Sequence, residues 1–239
     1  LDMCAALMAP VGVTETLVAD VSAQALGHTT ENYAVHVMGN SGGYIALTLQ
    51  NVTVLAENAT DLNVGLHNYY HSTLTLRGGT FTARSGDGAY AITNGGDNTT
   101  LRAENVVALA EDAGENFGLV NGEAVVYLLG GSFTARGGTI TRGIYNYTWS
   151  FLEAEGVTAL GENSSGNNYG LENAMAKVIL HGGAFTALGG AETRAIYNQR
   201  SGAALQAVDI TALAQDSSAA NSGLYNADEA KATLQGGAF

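Results

Sequence analysis

Apolar and polar residues alternate along most of this chain in short runs, separated by turns rich in Gly, Asn and Asp. In residues 101–111, for example, Leu101 and Ala103 precede a turn, and Ala108 and Ala110 follow it. Alternation with period two predicts β-strands, and a helical stripe of apolar residues is almost absent. The chain is therefore predicted to be all-β, with short strands joined by tight turns.

Two related units take turns along the chain. One contains Gly-Gly-x-Phe, which starts at Gly78, Gly130, Gly182 and Gly236. The other reads Leu-x-Ala-x-x-Val-x-Ala-Leu-Ala/Gly-Glu at residues 101–111 and 152–162, with a related segment at 205–215. A fixed internal period predicts a solenoid, because each unit can bury its apolar face only against its neighbours.

An asparagine recurs at the end of each unit, two residues after a Leu or Ile. The seven positions are Asn68, Asn94, Asn121, Asn146, Asn173, Asn198 and Asn226. Alternation along a strand gives each Asn the same inward direction as the aliphatic residue before it. A buried amide needs partners, and stacked amides can both donate and accept along the stack. We therefore expect an asparagine ladder at a bend.

The spacing of these units favours a right-handed parallel β-helix of about eight coils, each of about 26 residues. The handedness follows from the general preference of parallel crossover connections. A leucine-rich repeat would need a helical segment after the Asn, and the residues there are Gly, Ser, Thr and Tyr instead. A left-handed β-helix would show a six-residue rhythm, which is not seen.

Two further columns are predicted from the repeat. We expect the recurring Phe residues to stack with aliphatic residues between them, so that Phe81, Phe133, Phe185 and Phe239 alternate with Val52, Val106, Val157 and Ile210. The acidic residues of the other unit type share a surface column, at Glu57, Glu111 and Glu162. Arg84 and Arg136 lie in the intervening coils and are expected to bridge them.

The regularity of the repeat divides the chain. Residues 46–239 are predicted to form the regular β-helix, and residues 1–45 one or two degenerate N-terminal coils or a cap. Within that first part, Tyr33 to Val37 occupies the place of the Gly-Leu-x-Asn segment but lacks its Asn. The last unit stops at Phe239, in the middle of a repeat, which suggests a fragment of a longer protein with flanking domains.

Composition narrows the classes of partner. The formal net charge is −13, and the chain has only nine Lys and Arg residues. A nucleic-acid-binding protein needs a basic surface to displace counterions, so that class is excluded, and an anionic membrane is disfavoured for the same reason. No apolar run approaches the ~20 residues of a membrane-spanning helix. Cys4 is the only cysteine, which excludes a disulfide within the chain.

Aromatic residues mark the candidate binding surface. The outward position before each ladder Asn often carries Tyr, and further aromatic residues follow the Asn. Exposed aromatic residues on a sheet can stack on sugar rings or anchor a protein partner, although Tyr also suits any exposed strand. The candidate ligand-binding residues are Tyr145, Tyr147, Trp149, Tyr197 and Tyr225.

Catalytic chemistry has one candidate position. Glu172 lies between Tyr145 and Tyr197 in the outward column, with Arg142 and Arg194 nearby, as in a polysaccharide-binding site. A glycosidase needs two carboxylates facing one groove, and no partner is evident. His67 and His71 have the spacing of a helical metal site, but a helix is not predicted there. No metal or cofactor is therefore predicted.

The repeated units resemble those of bacterial cell-surface β-helix proteins of the adhesin and autotransporter-passenger type, over residues 46–239. The resemblance implies an extracellular or surface location and a non-catalytic role as a stalk or adhesive surface. Glycan binding through the aromatic column would extend that role, with carbohydrate or a host or cell-surface protein as partner. The alternative is a polysaccharide lyase or glycoside hydrolase on a pectate-lyase-like β-helix, because one solenoid fold serves many functions.

Overall fold

The computed structural model describes residues 3–9, 16–27, 30–40 and 43–239, which fold into three parallel β-sheets. Sheet A consists of β1 (Met3–Ala9), β4 (Glu31–Met38), β7 (Leu62–Tyr69), β10 (Gly88–Gly95), β13 (Glu115–Gly122), β16 (Ile140–Tyr147), β19 (Asn167–Ala174), β22 (Glu192–Gln199) and β25 (Ala220–Asn226). Sheet B consists of β2 (Thr16–Ala19), β5 (Ile45–Gln50), β8 (Ser72–Arg77), β11 (Thr100–Glu104), β14 (Val125–Leu129), β17 (Phe151–Glu155), β20 (Lys177–His181), β23 (Ala204–Val208) and β26 (Lys231–Gln235). Sheet C consists of β3 (Ser22–Ala25), β6 (Thr53–Glu57), β9 (Thr80–Arg84), β12 (Val107–Glu111), β15 (Ser132–Arg136), β18 (Thr158–Glu162), β21 (Ala184–Leu188) and β24 (Thr211–Gln215).

The chain passes through sheets B, C and A in turn, so each strand pairs with the strand three places further along. Strands β2 to β25 form eight successive triplets, which are eight complete coils. The predicted all-β parallel solenoid and its coil number are confirmed. The described residues include no helix, and hence none long and apolar enough to cross a membrane.

The asparagine ladder is also confirmed. Strand pairing aligns the seven Asn residues in one column of sheet A. Each of the first six side-chain amides donates to the Oδ1 atom of the next, at 2.6 to 2.9 Å. Most of these amides also donate to a backbone carbonyl at the bend into sheet B, as Asn94 does to Val125 at 3.1 Å. The buried amides are thereby satisfied, as burial requires.

The predicted partners of the Phe column are wrong. The register places Phe81 beside Val54 and Ala108, and Phe133 beside Ala108 and Ala159. Val52 and its counterparts lie two positions earlier, level with the second Gly of each Gly-Gly pair, as the hydrogen bond from Thr80 N to Val52 O at 2.9 Å shows. The physical reason is volume, because a buried ring leaves room only for a smaller side chain, alanine or Val54, in the coils above and below it.

The Gly-Gly pairs form the corner between sheets B and C, as predicted. Gly131 has φ +93°, and a Cβ built on it would lie 2.5 Å from Val106 O. The backbones of neighbouring coils approach too closely there for any side chain. The corner therefore requires glycine at this position, and it also determines where the Val of the neighbouring coil lies.

The surface charges of sheet C are paired as expected. The column runs Glu57, Arg84, Glu111, Arg136 and Glu162 from coil to coil. Arg84 forms an ion pair with Glu57 at 3.3 Å, and Arg136 one with Glu111 at 2.6 Å. Acidic and basic residues alternate with the two unit types, which separates like charges by two strand spacings, about 9.6 Å.

A second set of inward Asn residues was not predicted. They end the polar loops between sheets C and A, and they are Asn63, Asn116, Asn168 and Asn221. In the third loop, Asn168 Oδ1 accepts from Ser164 N at 3.1 Å, and Asn168 Nδ2 donates to Gly189 O at 2.7 Å. Each such Asn closes its own loop, and most also bond the next coil, so the row of loops is held by side chains as well as by the ladder of strands.

The described part of residues 1–45 continues the same stack. β4 pairs in register with β7, with Val35 beside Leu66 and Val37 beside Asn68. Val37 thus occupies the ladder column without an amide, and it is fully buried. The ladder begins at Asn68 because the coil before it fills that position with an apolar side chain.

Candidate functional site

The outward face of sheet A carries the aromatic residues, and a local break in alternation determines which ones. In β16, Arg142 and Tyr145 point outward while the two residues between them, Gly143 and Ile144, are both buried. A Cβ on Gly143 would lie 2.6 Å from Leu160 N in sheet C, so the strand approaches sheet C too closely there for a side chain. A step of two buried residues, Gly143-Ile144 here and Ala91-Ile92 or Ala195-Ile196 in other coils, therefore separates two outward columns.

The column predicted from the sequence is found as expected. Its successive members, aligned by strand pairing, are His36, His67, Thr93, Val120, Tyr145, Glu172, Tyr197 and Tyr225. A second column was missed, and it is equally aromatic and contains the arginines. Its members are Tyr33, Val64, Tyr90, Phe117, Arg142, Tyr169, Arg194 and Ser222.

The two columns interlock through cation–π contacts. Arg142 lies over the rings of Phe117 at 4.8 Å and Tyr145 at 4.6 Å. Arg194 lies over Tyr197 and Tyr225, at 4.6 Å from each ring centroid. Contacts of this kind contribute about 0.5–2 kcal/mol each, depending on how well they exclude water. Two arginines thus hold together most of the aromatic face at its C-terminal half.

Glu172 lies at the centre of this network and is only 3% exposed. One carboxylate oxygen pairs with Arg142 Nε, and the other accepts a hydrogen bond from Gln199 Nε2. A catalytic acid needs an oxygen directed at substrate. The geometry therefore gives Glu172 a role in orienting Arg142, with both oxygens already engaged.

The rings of the predicted tyrosines contact one another. Tyr145 and Tyr147 are stacked, with centroids 4.8 Å apart and ring planes 12° apart. Tyr197 is flanked by Tyr169 at 5.5 Å and Tyr225 at 5.6 Å. Burial raises the pKa of Tyr145 and Tyr197, so both phenols are protonated at neutral pH. Tyr225 is 43% exposed, while Tyr145, Tyr147 and Tyr197 are half-buried and Tyr169 is buried.

Trp149 differs from the other predicted residues, because it is 83% exposed. It lies in the corner between sheets A and B, where Thr148 and Trp149 both have left-handed backbone angles, φ +42° and +57°. Its backbone N–H donates to Met175 O at 3.0 Å, which keeps the corner in line with the next coil. The backbone is thus fixed, while the indole projects into solvent.

Trp149 borders a shallow groove of about 470 Å³. Phe151 and Tyr44 contribute further aromatic surface to it, and Glu123 and Asn98 contribute polar groups. An exposed indole face next to hydrogen-bonding side chains is a surface on which a sugar ring can stack. Of the five predicted binding residues, Trp149 is the one that offers such a surface.

The motif that creates this corner recurs three coils earlier. Asn68, Tyr69 and Ser72 correspond to Asn146, Tyr147 and Ser150. Ser72 Oγ donates to Asn68 Oδ1 at 2.8 Å, and Ser150 Oγ to Asn146 Oδ1 at 2.9 Å. His71 takes the place of Trp149 in the earlier copy. The spacing Asn-Tyr-x-x-Ser was therefore a sequence signal for this corner, and it supplies a matched comparison.

Two histidines, His36 and His67, lie next to each other at the N-terminal end of the same face. The ring of His67 stacks on Tyr33 at 5.1 Å and contacts His36 edge-on at 4.9 Å. Burial, together with the neighbouring His36, lowers the pKa of His67 to about 4. Both imidazoles are neutral at pH 7. Among the described residues, no group of three or more His, Cys, Asp or Glu side chains is arranged to hold a metal ion.

No protein-family model matches this chain, and neither a curated protein nor a solved structure shows significant similarity to it.

Proposed function

We propose that this chain is a non-catalytic β-helix segment of a larger bacterial surface or secreted protein, and that it binds glycans at the corner that carries Trp149. The observation that carries the glycan-binding proposal is the free indole of Trp149, 83% exposed on a fixed backbone beside Glu123 and Asn98. A sugar ring that stacks on this indole would remove its apolar face from water. The extracellular location follows from the resemblance of the repeats.

The ligand favoured by this surface is uncharged at the point of contact. Glu123 is the only charged side chain bordering the described groove, and the chain as a whole has a net charge of −13. An acidic polysaccharide would be repelled by that charge. A neutral hexose would stack on the indole, donate hydrogen bonds from its hydroxyl groups to Glu123, and both donate to and accept from Asn98 and Thr100.

A glycan array tests the proposal. We expect binding to neutral glycans that falls at least tenfold in Trp149→Ala, because the stacking surface is lost, a change of about 1.4 kcal/mol. His71→Ala alters the same position three coils away and is expected to leave binding unchanged. The absence of any glycan hit, or hits that survive Trp149→Ala, would remove the binding role and leave the structural one.

The enzymatic alternative makes a different prediction. A lyase or hydrolase would release unsaturated or reducing sugars from polysaccharides, and Glu172→Gln would abolish the release. The engagement of both Glu172 oxygens by Arg142 and Gln199 favours the non-catalytic proposal instead. Reducing-sugar release that is lost in Glu172→Gln would reverse that preference.

A further inference from the structure

A second groove lies on the outward face of sheet B, on a different face of the solenoid from the aromatic columns. It has a volume of about 410 Å³ and crosses strands β8, β11, β14, β17 and β20. Its floor is apolar, formed by Tyr127 and by Leu129, which is 48% exposed. Arg102 lies over the ring of Tyr127 at 4.4 Å from its centroid. No part of this groove contributes to the proposed glycan site.

Charges of opposite sign occupy the two ends of this groove. Arg77 and Arg102 lie on the coils before the apolar floor, and Glu153 and Glu155 on the coil after it. Glu104 lies beside Arg77 in the register of β8 and β11. Two arginines and one glutamate thus lie before the apolar middle, a formal charge of +2 − 1 = +1, and two glutamates lie after it, a formal charge of −2.

These charges are left without partners. In the described part of the chain, four arginines form ion pairs, and they are Arg84, Arg136, Arg142 and Arg194. Neither Arg77 nor Arg102 is among them, and none of the three groove glutamates has an ion-pair partner within 4.0 Å among the described residues. Elsewhere this fold places Glu and Arg in adjacent coils and pairs them. On sheet B, Arg77 and Glu104 are adjacent in the register without an ion pair within 4.0 Å, and Tyr127 and Leu129 separate both arginines from Glu153 and Glu155.

The distances suit an extended peptide lying along the solenoid axis. Arg77 and Glu155 are three coils apart, which is about 14 Å at the ~4.8 Å spacing of strands. Side chains at positions i and i+4 of an extended peptide lie on the same side and about 13 Å apart, with the side chain at i+2 midway between them. An acidic residue, an apolar residue and a basic residue at these positions would meet the arginines, the apolar floor and the glutamates in turn.

We infer that the sheet B groove binds an extended peptide segment of the pattern acidic-x-apolar-x-basic. Charge complementarity at both ends specifies the peptide, and burial of the apolar side chain on Tyr127 and Leu129 supplies the hydrophobic part of the affinity. A neutral sugar would leave all the groove charges unmatched. A peptide with one sign of charge would meet repulsion at one end.

Fluorescence anisotropy with synthetic peptides tests this inference on the intact chain. The probe is labelled acetyl-Gly-Glu-Gly-Phe-Gly-Lys-Gly-amide, compared with a peptide in which Glu replaces Lys, one in which Lys replaces Glu, and one in which Ser replaces Phe. We expect the mixed-charge Phe peptide to bind at least tenfold more tightly than each of the other three. Equal binding of all four, or no binding of the mixed-charge peptide, would overturn the inference.

A charge-reversal variant of the protein gives a more specific test of the same inference. Arg102→Glu makes both ends of the groove acidic, so the mixed-charge peptide is expected to lose at least tenfold in affinity and the Lys-Phe-Lys peptide to become the preferred ligand. Arg200→Glu changes the net charge equally, on an exposed arginine outside the groove, and is expected to leave the order of the peptides unchanged. A circular dichroism spectrum identical to that of the parent chain controls for folding.

Two results of this arm would count against the peptide groove. An unchanged order of peptides in Arg102→Glu would show that the charges do not select the ligand. Binding of a polysaccharide with alternating amino and carboxylate groups that depends on Arg102, without binding of the peptides, would assign the groove to a different class of ligand. Loss of peptide binding leaves the Trp149 glycan assay unaffected, so the two proposals fail separately.

Discussion

At the scale of single residues, the structure depends on buried polar side chains, whose hydrogen bonds must be made by neighbouring protein groups. The Asn121 side chain is fully buried, and its Nδ2 atom donates to Asn146 Oδ1 at 2.8 Å and to Phe151 O at 3.1 Å. Its Oδ1 atom accepts from Asn94 Nδ2 at 2.9 Å. Removing such an amide takes one partner from each buried group that it bonds, and a buried polar group that lacks a partner costs more than the hydrogen bond itself contributes.

Asn121→Ala is accordingly expected to lower the free energy of unfolding by about 3 kcal/mol, the cost of two unsatisfied buried groups. Asn226→Ala removes the last, exposed member of the ladder, where water can replace the lost partner, and should cost less than about 1 kcal/mol. Urea unfolding followed by circular dichroism measures both. Equal losses of unfolding free energy in the two variants would contradict the idea that the ladder stabilises the fold because its amides are buried.

The low pKa of His67 makes stability depend on pH. The unfolded chain takes up the proton at about pH 6.5, and the folded chain only at about 4. Stability is therefore intact above pH 6.5, declines as the pH falls towards 4, and is reduced by about 3 kcal/mol below that. His36, whose pKa burial also lowers, acts in the same direction.

His67→Phe keeps a ring against Tyr33 and removes the titration. We expect its free energy of unfolding to fall less than that of the parent chain between pH 7 and pH 4, measured by urea unfolding at each pH. The difference between the two chains isolates the contribution of His67 from that of the carboxylates. Parallel pH profiles would show that His67 titrates normally in the fold.

At the scale of elements, the corners between sheets determine which side chains fit at the start of each strand. The corner between sheets B and C takes two forms, Gly-Gly in one unit type and residues such as Asn105-Val106 in the other. Asn105 tolerates φ +51° because Asn adopts the left-handed region more readily than most residues. The second Gly is different, because backbone of the neighbouring coil occupies the space of its side chain.

Two glycines of this corner separate the two effects. Gly131→Ala would place a Cβ 2.5 Å from Val106 O at φ +93°, and a loss of more than about 3 kcal/mol is expected because the backbone itself must move. Gly156→Ala has φ +63° with no atom within 4 Å, and should cost about 1 kcal/mol, the ordinary penalty of the left-handed region. Thermal unfolding of both variants checks the ranking, and similar losses would contradict it.

The corners also explain what the sequence could and could not predict. The Asn period, the Gly-Gly turns and the alternating Glu and Arg residues repeat visibly, and the fold followed from them. The partners of Phe81 were misassigned because Val52 is the nearest large apolar residue to the turn. Counting back from the charged column gives the right answer, since Phe81 lies three residues before Arg84 and Ala108 three before Glu111.

The second outward column on sheet A could not have been found from alternation. Gly143 and Ile144 are adjacent and both buried, which breaks the period of two in the middle of the strand. The close approach to Leu160 that causes the break is a contact between sheets. The sequence pattern of one strand does not show a contact between two sheets. The sequence analysis therefore put Arg142 near the site but did not predict the rings that it contacts.

At the scale of the whole molecule, stability is shared between neighbouring coils rather than concentrated in one centre. Phe133 lies between two coils that contribute Ala108 and Ala159, and it is fully buried. Phe239 is the last residue of the chain and is 53% exposed. In a stack of repeats each unit is stabilised chiefly by its neighbours. The same residue type therefore contributes more to the free energy of unfolding in the middle of the stack than at its end.

Phe133→Ala is expected to lower the free energy of unfolding by about 3–5 kcal/mol, the range for deleting a buried ring. Phe239→Ala should change it by less than about 0.5 kcal/mol, as for an exposed position. Denaturant unfolding of both chains measures the contrast. A large effect at Phe239 would mean that the terminal residue is buried in solution.

The alternation of ring and alanine also restricts how such a protein can change length over generations. Recombination that removed the coil of Ala108 and Glu111 would set Phe81 directly against Phe133 and Arg84 against Arg136, whereas removal of the coil of Phe81 and Arg84 would set Glu57 against Glu111. Removing or adding a pair of coils keeps ring beside small residue and Glu beside Arg in these two columns. Genes of this type should therefore grow and shrink in steps of about 52 codons, and inherited size variants should differ by even numbers of turns.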